Sequence, residues 1–299
     1  MGGSKFALGV ANGTDALWLI LKAIGLNKSD EILIPSHTYI ATPAAANFIG
    51  LKPVLVECNE NHLMSIKDCA KKLTNKTKAI MPVQLNGRTI NMDRLLEFSN
   101  KENLIVIEDA AQGLGSKYKE KMSGTFGLAG TYSFYPAKTL GCFGDGGAIV
   151  TNNEELYQKL YEMRDHGRNQ QGNYKRWGLN SRLDNLQAAI LLAKIKLLDE
   201  EINRRRIIAK MYNDALLNYN QIVLPADPNS DNFYFDTYQN YEIECEKRDQ
   251  LKNFLNDKGI GTLIQWGGEA IHQIKALNYR VNLPLTDKLF RKCLLLQMN

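Results

Sequence analysis

Apolar residues in the first two thirds of the chain occur as short continuous runs, separated by stretches in which apolar positions recur every three or four residues. Short apolar runs are typical of strands buried on both faces, and the spaced pattern is typical of helices. The runs predict strands over residues 31–36, 52–58, 79–85, 104–110, 130–135 and 147–151. The spaced stretches predict helices over residues 14–25, 39–48, 65–73, 92–100 and 154–165. Their alternation predicts an α/β protein with a mostly parallel sheet covered by helices.

The pattern changes after residue 153. Long helical stretches are predicted over residues 183–217, and a polar segment with two prolines, residues 225–236, is predicted to be a loop. A small β-α-β unit then closes the chain, with a strand, a helix and a strand predicted over residues 238–244, 246–258 and 261–266. We place a domain boundary near residue 200, inside the long helical region. This predicts a large domain over residues 1–200 and a smaller one over residues 201–299.

Composition excludes several classes of protein. A chain of 299 residues with 44% hydrophobic content is long enough for a buried core and one or two domains. The net charge of +5 is mild, and no basic stretch is interleaved with aromatic residues, so we expect no nucleic-acid partner. The five scattered cysteines contain no Cys-x-x-Cys pair, and the histidines lack metal-ligand spacing, which indicates reduced thiols in the cytoplasm and no metal site. No apolar run approaches the roughly 18 residues of a membrane helix, and no leader opens the chain.

Lys138 is the first candidate for chemistry. It follows a predicted buried strand in the segment SFYPAK, and the glycine-rich residues 144–147 come shortly after it. Ligands of such sheets bind outside the carboxyl ends of the strands. A lysine amine there can form a Schiff base with an aldehyde cofactor, and desolvation lowers the pKa of a lysine toward reactivity. Taken alone, however, Lys138 is better explained as one exposed lysine among many.

Asp109 is the second candidate, because it ends the apolar strand LIVIEDA. A carboxylate buried at the end of such a strand is costly unless it meets a cation. In enzymes that use pyridoxal 5'-phosphate, a carboxylate pairs with the protonated pyridine nitrogen and strengthens the ring as an electron sink. Asp109 fits that role. The alternative is that it caps the helix that follows the strand.

The segment Asn12–Asp15 opens a helix directly after an apolar stretch. The free backbone N–H groups at a helix start bind phosphate well, so this segment is a candidate phosphate site. Ser133 is placed to add a hydroxyl to the same phosphate. The alternative is an ordinary N-cap, which is common for these residue types.

Taken together, these segments resemble the DegT/DnrJ/EryC1/StrS family of sugar aminotransferases. The matching stretches run in family order over residues 8–209 and read GVANGTDAL, PSHTYIAT, TKAIMPVQLNG, VIEDAAQ, SFYPAKTLGCFGDGGAIVT, RDHG and GLNSRLDNLQAAIL. A further stretch, GIGTLIQWGGEAIHQ, resembles the C-terminal substrate region of the family. Each motif is weak by itself, but the ordered set is highly specific.

The resemblance implies a fold of the aspartate aminotransferase type, the pyridoxal-phosphate-dependent transferase fold. We therefore expect a mostly parallel seven-stranded sheet flanked by helices, with a smaller C-terminal α/β domain. A homodimer with active sites at the interface is usual in this family. The implied reaction moves an amino group from L-glutamate to a ketosugar, commonly nucleotide-linked, for deoxyaminosugar or surface polysaccharide biosynthesis.

The resemblance also implies roles for individual residues. Lys138 resembles the Schiff-base lysine, and Asp109 resembles the partner of the pyridine nitrogen. Tyr39 falls where an aromatic side chain stacks on the cofactor ring, and Gln112 falls near the ring oxygen. Some family members carry histidine in place of the lysine and act as sugar dehydratases, and Lys138 argues against that branch.

The remaining implied contacts are with phosphate and substrate. Those with the cofactor phosphate fall at Gly13, Thr14, Asp15 and Ser133. Asn180 resembles an asparagine that reaches the phosphate of the neighbouring subunit's cofactor. His272 and Tyr135 lie near positions that line the substrate pocket of the family.

Two alternatives stay open. The family normally has a further segment before the one matching SKFALGVANGT and another after the one matching CLLLQMN, so we expect a chain clipped at both ends. Such a chain is compatible with a non-catalytic or regulatory homologue that only binds the cofactor. A nucleotide-dependent oxidoreductase is the other alternative, but GVANGTDAL does not fit the Gly-x-Gly-x-x-Gly signature of that class.

Overall fold

A seven-stranded sheet forms the centre of the computed structural model, which describes residues 3–298. The strands are β1 (Phe6–Val10), β2 (Glu31–Pro35), β3 (Lys52–Val56), β4 (Thr77–Ile80), β5 (Ile105–Asp109), β6 (Lys117–Tyr118), β7 (Lys121–Met122), β8 (Ala129–Ser133), β9 (Gly147–Thr151), β10 (Ile222–Val223), β11 (Tyr234–Phe235), β12 (Tyr241–Cys245) and β13 (Cys293–Leu296). The α-helices are α1 (Gly13–Ala23), α2 (Ala41–Phe48), α3 (Ile66–Lys72), α4 (Met92–Lys101), α5 (Glu154–Met163), α6 (Asn185–Lys194), α7 (Leu198–Leu216), α8 (Arg248–Asp257) and α9 (Pro284–Lys292). Short 3-10 turns lie at Leu85–Gly87, Ile195–Leu197, Gln265–Gly268, Ile271–Gln273 and Lys275–Leu277.

The strand order of the main sheet is β1-β9-β8-β5-β4-β2-β3. Strand β9 pairs antiparallel with β1 and with β8, and the other neighbours are parallel, which confirms the predicted mostly parallel sheet of an α/β protein. Strands β5 and β8 run side by side in the same direction, with Asp109 opposite Thr131. Their carboxyl ends therefore meet at one edge of the sheet, where ligands of such sheets bind.

Helix α1 shows why this part of the chain folds as predicted. Its N-cap Asn12 accepts a hydrogen bond from the backbone N–H of Asp15 at 2.8 Å, which satisfies one of the free groups of the first turn. One face of the helix is apolar and buried on the sheet through Ala16, Leu17, Leu19, Ile20 and Leu21. Burial of each large apolar side chain contributes roughly 1.5–3 kcal/mol. The core thus fixes the N-terminus of α1 at the sheet edge.

Several elements differ from the sequence predictions. Strand β1 was not predicted, because it is a half-exposed edge strand of five residues interrupted by Gly9. The predicted strand over residues 261–266 is wrong. Leu263 makes a single bridge to Leu295, and the 3-10 turn that follows places Trp266 at a φ of 50°. A left-handed backbone ends any strand, and β13 takes that place beside β12 instead.

The helix predicted over residues 183–217 is divided by the 3-10 turn between α6 and α7. The segment predicted as a loop, residues 225–236, ends in strand β11, which pairs antiparallel with β6. The predicted boundary near residue 200 falls at the start of α7. The second sheet, β10-β12-β13, follows it, but Ile271 and Leu283 pack into the core of the main sheet. Within residues 3–298, no helix combines the length and the apolar character that a bilayer crossing requires.

A buried ion pair joins the second sheet to the main one. The carboxylate of Glu242, on β12, accepts a hydrogen bond from the ring of His62 at 2.7 Å, and the other ring nitrogen of His62 lies 3.1 Å from Glu244. Burial alone lowers the pKa of His62, but the hydrogen bonds to Glu242 and Glu244 outweigh burial and raise this pKa to about 9. Burial raises the pKa of Glu242, but the nearby His37 and His62 hold that pKa far below its usual range.

We expect the free energy of unfolding to fall as the pH rises from about 6.5 through about 9. The folded-state pKa of His62 lies above its unfolded value, so the stability from its protonation is full below about 6.5 and lost above about 9. The loss is on the order of 3 kcal/mol. Urea unfolding across this range measures it. In His62→Gln the fall should be much smaller, whereas the exposed His166→Gln should keep the wild-type dependence. Equal slopes in all three proteins would contradict the assignment.

Candidate active site

Lys138 and Asp109 lie at the edge where β5 and β8 end. Asp109 is the last residue of β5, and Lys138 follows β8 in a turn closed by its own backbone N–H, which donates to the carbonyl of Tyr135 at 2.8 Å. Burial lowers the pKa of Lys138, and the charge of Asp109 raises it in part. A lysine with a lowered pKa holds more of its amine in the unprotonated, nucleophilic form. The structure therefore brings together the two residues that the sequence predicted as a pair.

Asp109 is almost fully buried, with 4% of its surface exposed. The hydroxyl of Thr42 donates to its Oδ2 at 2.8 Å, and the backbone N–H of Ala111 donates to its Oδ1 at 3.2 Å. Burial raises the pKa of Asp109, while these two donors and the charge of Lys138 lower it. Within residues 3–298, no cationic side chain forms an ion pair with this carboxylate. A buried carboxylate without a paired cation is costly, so the site fits a ligand that presents a positively charged nitrogen.

Thr42 was not singled out from the sequence, although it ends the quoted stretch PSHTYIAT. Its Oγ1 lies 2.7 Å from Oγ1 of Thr38. Because Thr42 gives its own proton to Asp109, its oxygen is left to accept from Thr38. In the sequence, this hydrogen-bonded pair appears as two threonines spaced four residues apart near the start of α2.

The predicted phosphate contacts also come together. A Cβ atom built on Gly13 would lie 3.0 Å from Cβ and 3.4 Å from Oγ of Ser133, so the start of α1 lies against the end of β8. A Cβ on Gly147 would lie only 2.5 Å from the carbonyl carbon of Asn12, which is too close for any side chain. Glycines at both positions let the first turn of α1 lie directly against the side chain of Ser133 and the start of β9. The site is suited to a phosphate group.

Tyr39 and Gln112 lie in the loops around this edge. Tyr39 follows β2 and is 56% exposed, and its ring centroid is 6.5 Å from that of Trp266. Gln112 follows β5 and is half-buried, and its Oε1 accepts a hydrogen bond from the backbone N–H of Asn86 at 2.9 Å. Both side chains retain accessible surface for a ligand.

The other predicted residues differ in their surroundings. Asn180 is exposed, and its neighbour Ser181 accepts from the backbone N–H of Ala11, which brings the segment beside the start of α1. Tyr135 is 54% exposed. His272, by contrast, has both ring nitrogens engaged.

Ring nitrogen Nδ1 of His272 lies 2.7 Å from Ser36 Oγ, and Nε2 lies 2.9 Å from Asp287 Oδ1. Only 5% of the His272 side chain is exposed. The geometry thus favours a role for His272 in holding its own loop, rather than the substrate contact that the resemblance implies.

The sheet topology and the paired lysine and aspartate at its edge define the class of the protein, the pyridoxal-phosphate-dependent transferase fold. Within that class, the chain belongs to the DegT/DnrJ/EryC1/StrS aminotransferase family, whose model matches residues 1–299. The protein is accordingly an aminotransferase.

Named relatives agree with this assignment. The dTDP-3-amino-3,4,6-trideoxy-alpha-D-glucose transaminase of Streptomyces venezuelae is 38% identical over 87% of this chain and 68% of its own length. The UDP-2-acetamido-2-deoxy-3-oxo-D-glucuronate aminotransferase of Pseudomonas aeruginosa is 34% identical over 99% of this chain and 82% of its own length. The crystal structure of NtdA from Bacillus subtilis, with bound cofactor PMP, matches 98% of this chain and 68% of that one with a TM-score of 0.88 at 29% identity.

Proposed function

We propose that this aminotransferase uses pyridoxal 5'-phosphate to move an amino group from L-glutamate to a nucleotide-linked ketosugar. One observation carries the proposal: among the described residues 3–298, no cation pairs with the buried carboxylate of Asp109, which lies near the Lys138 amine at the same sheet edge as the phosphate cradle of Gly13 and Ser133. When bound, the cofactor supplies an aldehyde that takes up the amino group and a protonated ring that withdraws electrons. PMP in the NtdA structure is the amino form of the same cofactor.

The residues of the chain have distinct tasks in this proposal. Lys138 would hold the cofactor through Nζ, and its freed amine would take the proton from the α-carbon of the amino donor and deliver it to the cofactor. General acid–base transfer of this kind contributes about 10²–10⁴-fold to a rate. Asp109 keeps a proton on the ring nitrogen, and Tyr39 covers one face of the ring.

The first turn of α1 and the hydroxyl of Ser133 hold the phosphate. We assign phosphate contacts to Gly13, Thr14 and Asp15, and a ring-oxygen contact to Gln112. Tyr135 is exposed at the same edge and is placed for a substrate contact. The sugar class follows from the relatives, whose names specify dTDP-linked and UDP-linked sugars. Biosynthesis of deoxyaminosugars for a surface polysaccharide is the setting that we propose.

We also propose a homodimer with shared sites. Large apolar side chains are exposed on the segments that follow β8 and β9, and exposed apolar surface of this kind is typical of protein–protein interfaces. They include Phe143 (77%), Trp177 (96%), Leu186 (71%) and Leu192 (68%). Asn180 is exposed between Trp177 and Leu186 along the sequence, and in the proposed dimer it would reach the cofactor phosphate of the second copy. All five cysteines are free and buried, which fits the reducing cytoplasm.

The experiment for the proposed function is a half-reaction. L-glutamate is added to the purified protein loaded with pyridoxal phosphate, and the visible absorption band of the lysine-linked cofactor is followed. We expect the band to disappear as one oxoglutarate is released per site, and D-glutamate should leave it unchanged. A band that persists with L-glutamate would instead indicate the non-catalytic cofactor-binding homologue. Absence of the band together with binding of a nicotinamide nucleotide would indicate the oxidoreductase.

A further inference from the structure

A chain of side-chain amides runs from the buried carboxylate of Glu242 to Gln112. Glu242 Oε2 accepts from Nδ2 of Asn86 at 2.9 Å. Oδ1 of Asn86 accepts in turn from Nδ2 of Asn240 at 2.8 Å and from Nε2 of Gln265 at 2.6 Å. The chain ends at Gln112, whose Oε1 accepts from the backbone N–H of Asn86 at 2.9 Å and from Nδ2 of Asn240 at 3.5 Å.

The backbone N–H of Asn86 can only donate to Gln112, and the directions of the side-chain hydrogen bonds follow from the carboxylate of Glu242. An ionised carboxylate only accepts, so Asn86 must present its NH₂ group to Glu242 and its oxygen to the opposite side. That oxygen accepts from Gln265, and because it can only accept, Asn240 must also present its NH₂ group to it. The same NH₂ group and the N–H of Asn86 both meet the oxygen of Gln112. The Nε2 donor of Gln112 is then left without a partner within residues 3–298, on the accessible side of its amide.

We call this series of hydrogen bonds from Glu242 to Gln112 the relay. The backbone around Asn86 makes the relay rigid. Asn86 itself has a φ of 58°, in the left-handed region, and Gly87 follows at 80°. A Cβ on Gly87 would lie 2.6 Å from the backbone nitrogen of Gln239, so the turn packs directly on the segment that leads into β12. Residues far apart in the chain are thereby held at a fixed distance from Gln112.

We propose that Glu242, acting through Asn86 and Asn240, orients the amide of Gln112 so that Nε2 donates to the anionic ring oxygen of the cofactor. The inference rests on the proposed function, because it assigns Gln112 a ligand at that site. Asn86, Asn240 and Glu242 are positioning residues in this proposal, because they act on the cofactor only through Gln112. A donor at the ring oxygen stabilises its ionised form, and so lowers the pKa at which the lysine-linked cofactor loses its proton.

The test is a double-mutant cycle read by spectroscopy. Asn240→Asp replaces the donor of the relay by an acceptor of nearly the same shape, so the oxygen of Gln112 loses one partner and its NH₂ group is drawn toward residue 240. We expect the pKa read from the visible band to rise by at least one unit, and the dissociation constant of the cofactor to rise about tenfold. Gln112→Ala should raise this pKa similarly, and the double variant should show no further rise.

Two control variants distinguish a changed orientation of Gln112 from the effect of an added negative charge and from misfolding. Asn256→Asp adds the same charge at an exposed position of α8 and should titrate as the wild type. Asn240→Ser, which adds no charge, should also raise the pKa of the lysine-linked cofactor, and it replaces Asn240→Asp if that variant does not fold.

Additive pKa shifts in the double variant, or a wild-type pKa in the folded Asn240 variants, would overturn the relay. Failure of the proposed function has a different signature, because the wild type itself would then lack the visible band.

Discussion

Replacing Lys138 by alanine is expected to lower the rate of the glutamate half-reaction by at least about 10⁴-fold, the upper end of what general acid–base transfer supplies. The variant loses both the amine that binds the cofactor aldehyde and the amine that moves the proton at the α-carbon. Purified Lys138→Ala should lack the visible band of the lysine-linked cofactor. It should still fold, because burial disfavours the charged form of this lysine and the side chain forms no ion pair within residues 3–298. Stopped-flow absorbance and oxoglutarate release measure the effect.

A control substitution at another lysine and a complementation experiment accompany this prediction. Lys159→Ala, at a half-buried position of α5 where the amine pairs with Glu155, should keep the wild-type rate. Mixing Lys138→Ala with Asn180→Ala tests the shared site. A mixed dimer carries both defects in one site and neither in the other, so activity should reappear on mixing if Asn180 acts across the interface. A Lys138→Ala protein with more than about a tenth of the wild-type rate would refute the role of the lysine. Unrestored activity in a proven mixed dimer would place Asn180 in its own subunit's site.

The main sheet could be predicted because its inner strands are buried on both faces. Such strands are continuous apolar runs, and β2, β5 and β9 have that form. Strand β1 could not be predicted from the same signal. It lies at the sheet edge, half of its side chains contact solvent, and its pairing with β9 joins residues far apart in the chain. Its place depends on tertiary contact rather than on local pattern.

In the C-terminal part, the pattern predicted a strand in the wrong place. Residues 261–266 include an apolar run that is typical of a strand, but glycines flank this run and the backbone is left-handed at Trp266. The run Cys293–Leu296 is equally apolar and does form the strand. Local pattern does not decide between two such runs, because the choice depends on which of them aligns with β12. Short apolar runs are therefore weak predictors near glycine-rich turns.

Some residues of the active site could likewise be predicted from the sequence, and others could not. Lys138, Asp109 and Ser133 could be predicted because each follows a strand of the sheet and falls in a motif of the family. Thr42 could not, since its hydrogen bond to Asp109 joins residues 67 apart in the chain. The relay to Gln112 depends on a contact between residues 154 apart, Asn86 and Asn240. Motif order identifies groups that touch a ligand, whereas the groups that orient them are visible only in the folded chain.

Asp109→Asn is expected to slow the glutamate half-reaction by about 10²–10³-fold while the protein still binds pyridoxal phosphate. The amide is nearly the same shape as the carboxylate, and its oxygen can still accept from the N–H of Ala111. Its NH₂ group can donate to Oγ1 of Thr42, whose hydroxyl then donates to Thr38. It carries no charge, however, and cannot hold a proton on the ring nitrogen. The electrons released at the α-carbon then have a weaker sink. The visible band should persist, because Lys138 is intact.

This combination of a retained band and a slow reaction separates the aspartate from the lysine. It also separates catalysis from folding: a neutral side chain at a buried position removes a desolvation cost, so the thermal midpoint of the cofactor-free variant should not fall. Asp249→Asn makes the same charge change on the exposed side of α8 and should leave the half-reaction unchanged. If Asp109→Asn reacted within about threefold of the wild type, the carboxylate would only cap the residues that follow β5. A residue other than Asp109 would then have to pair with the positively charged ring nitrogen of the cofactor.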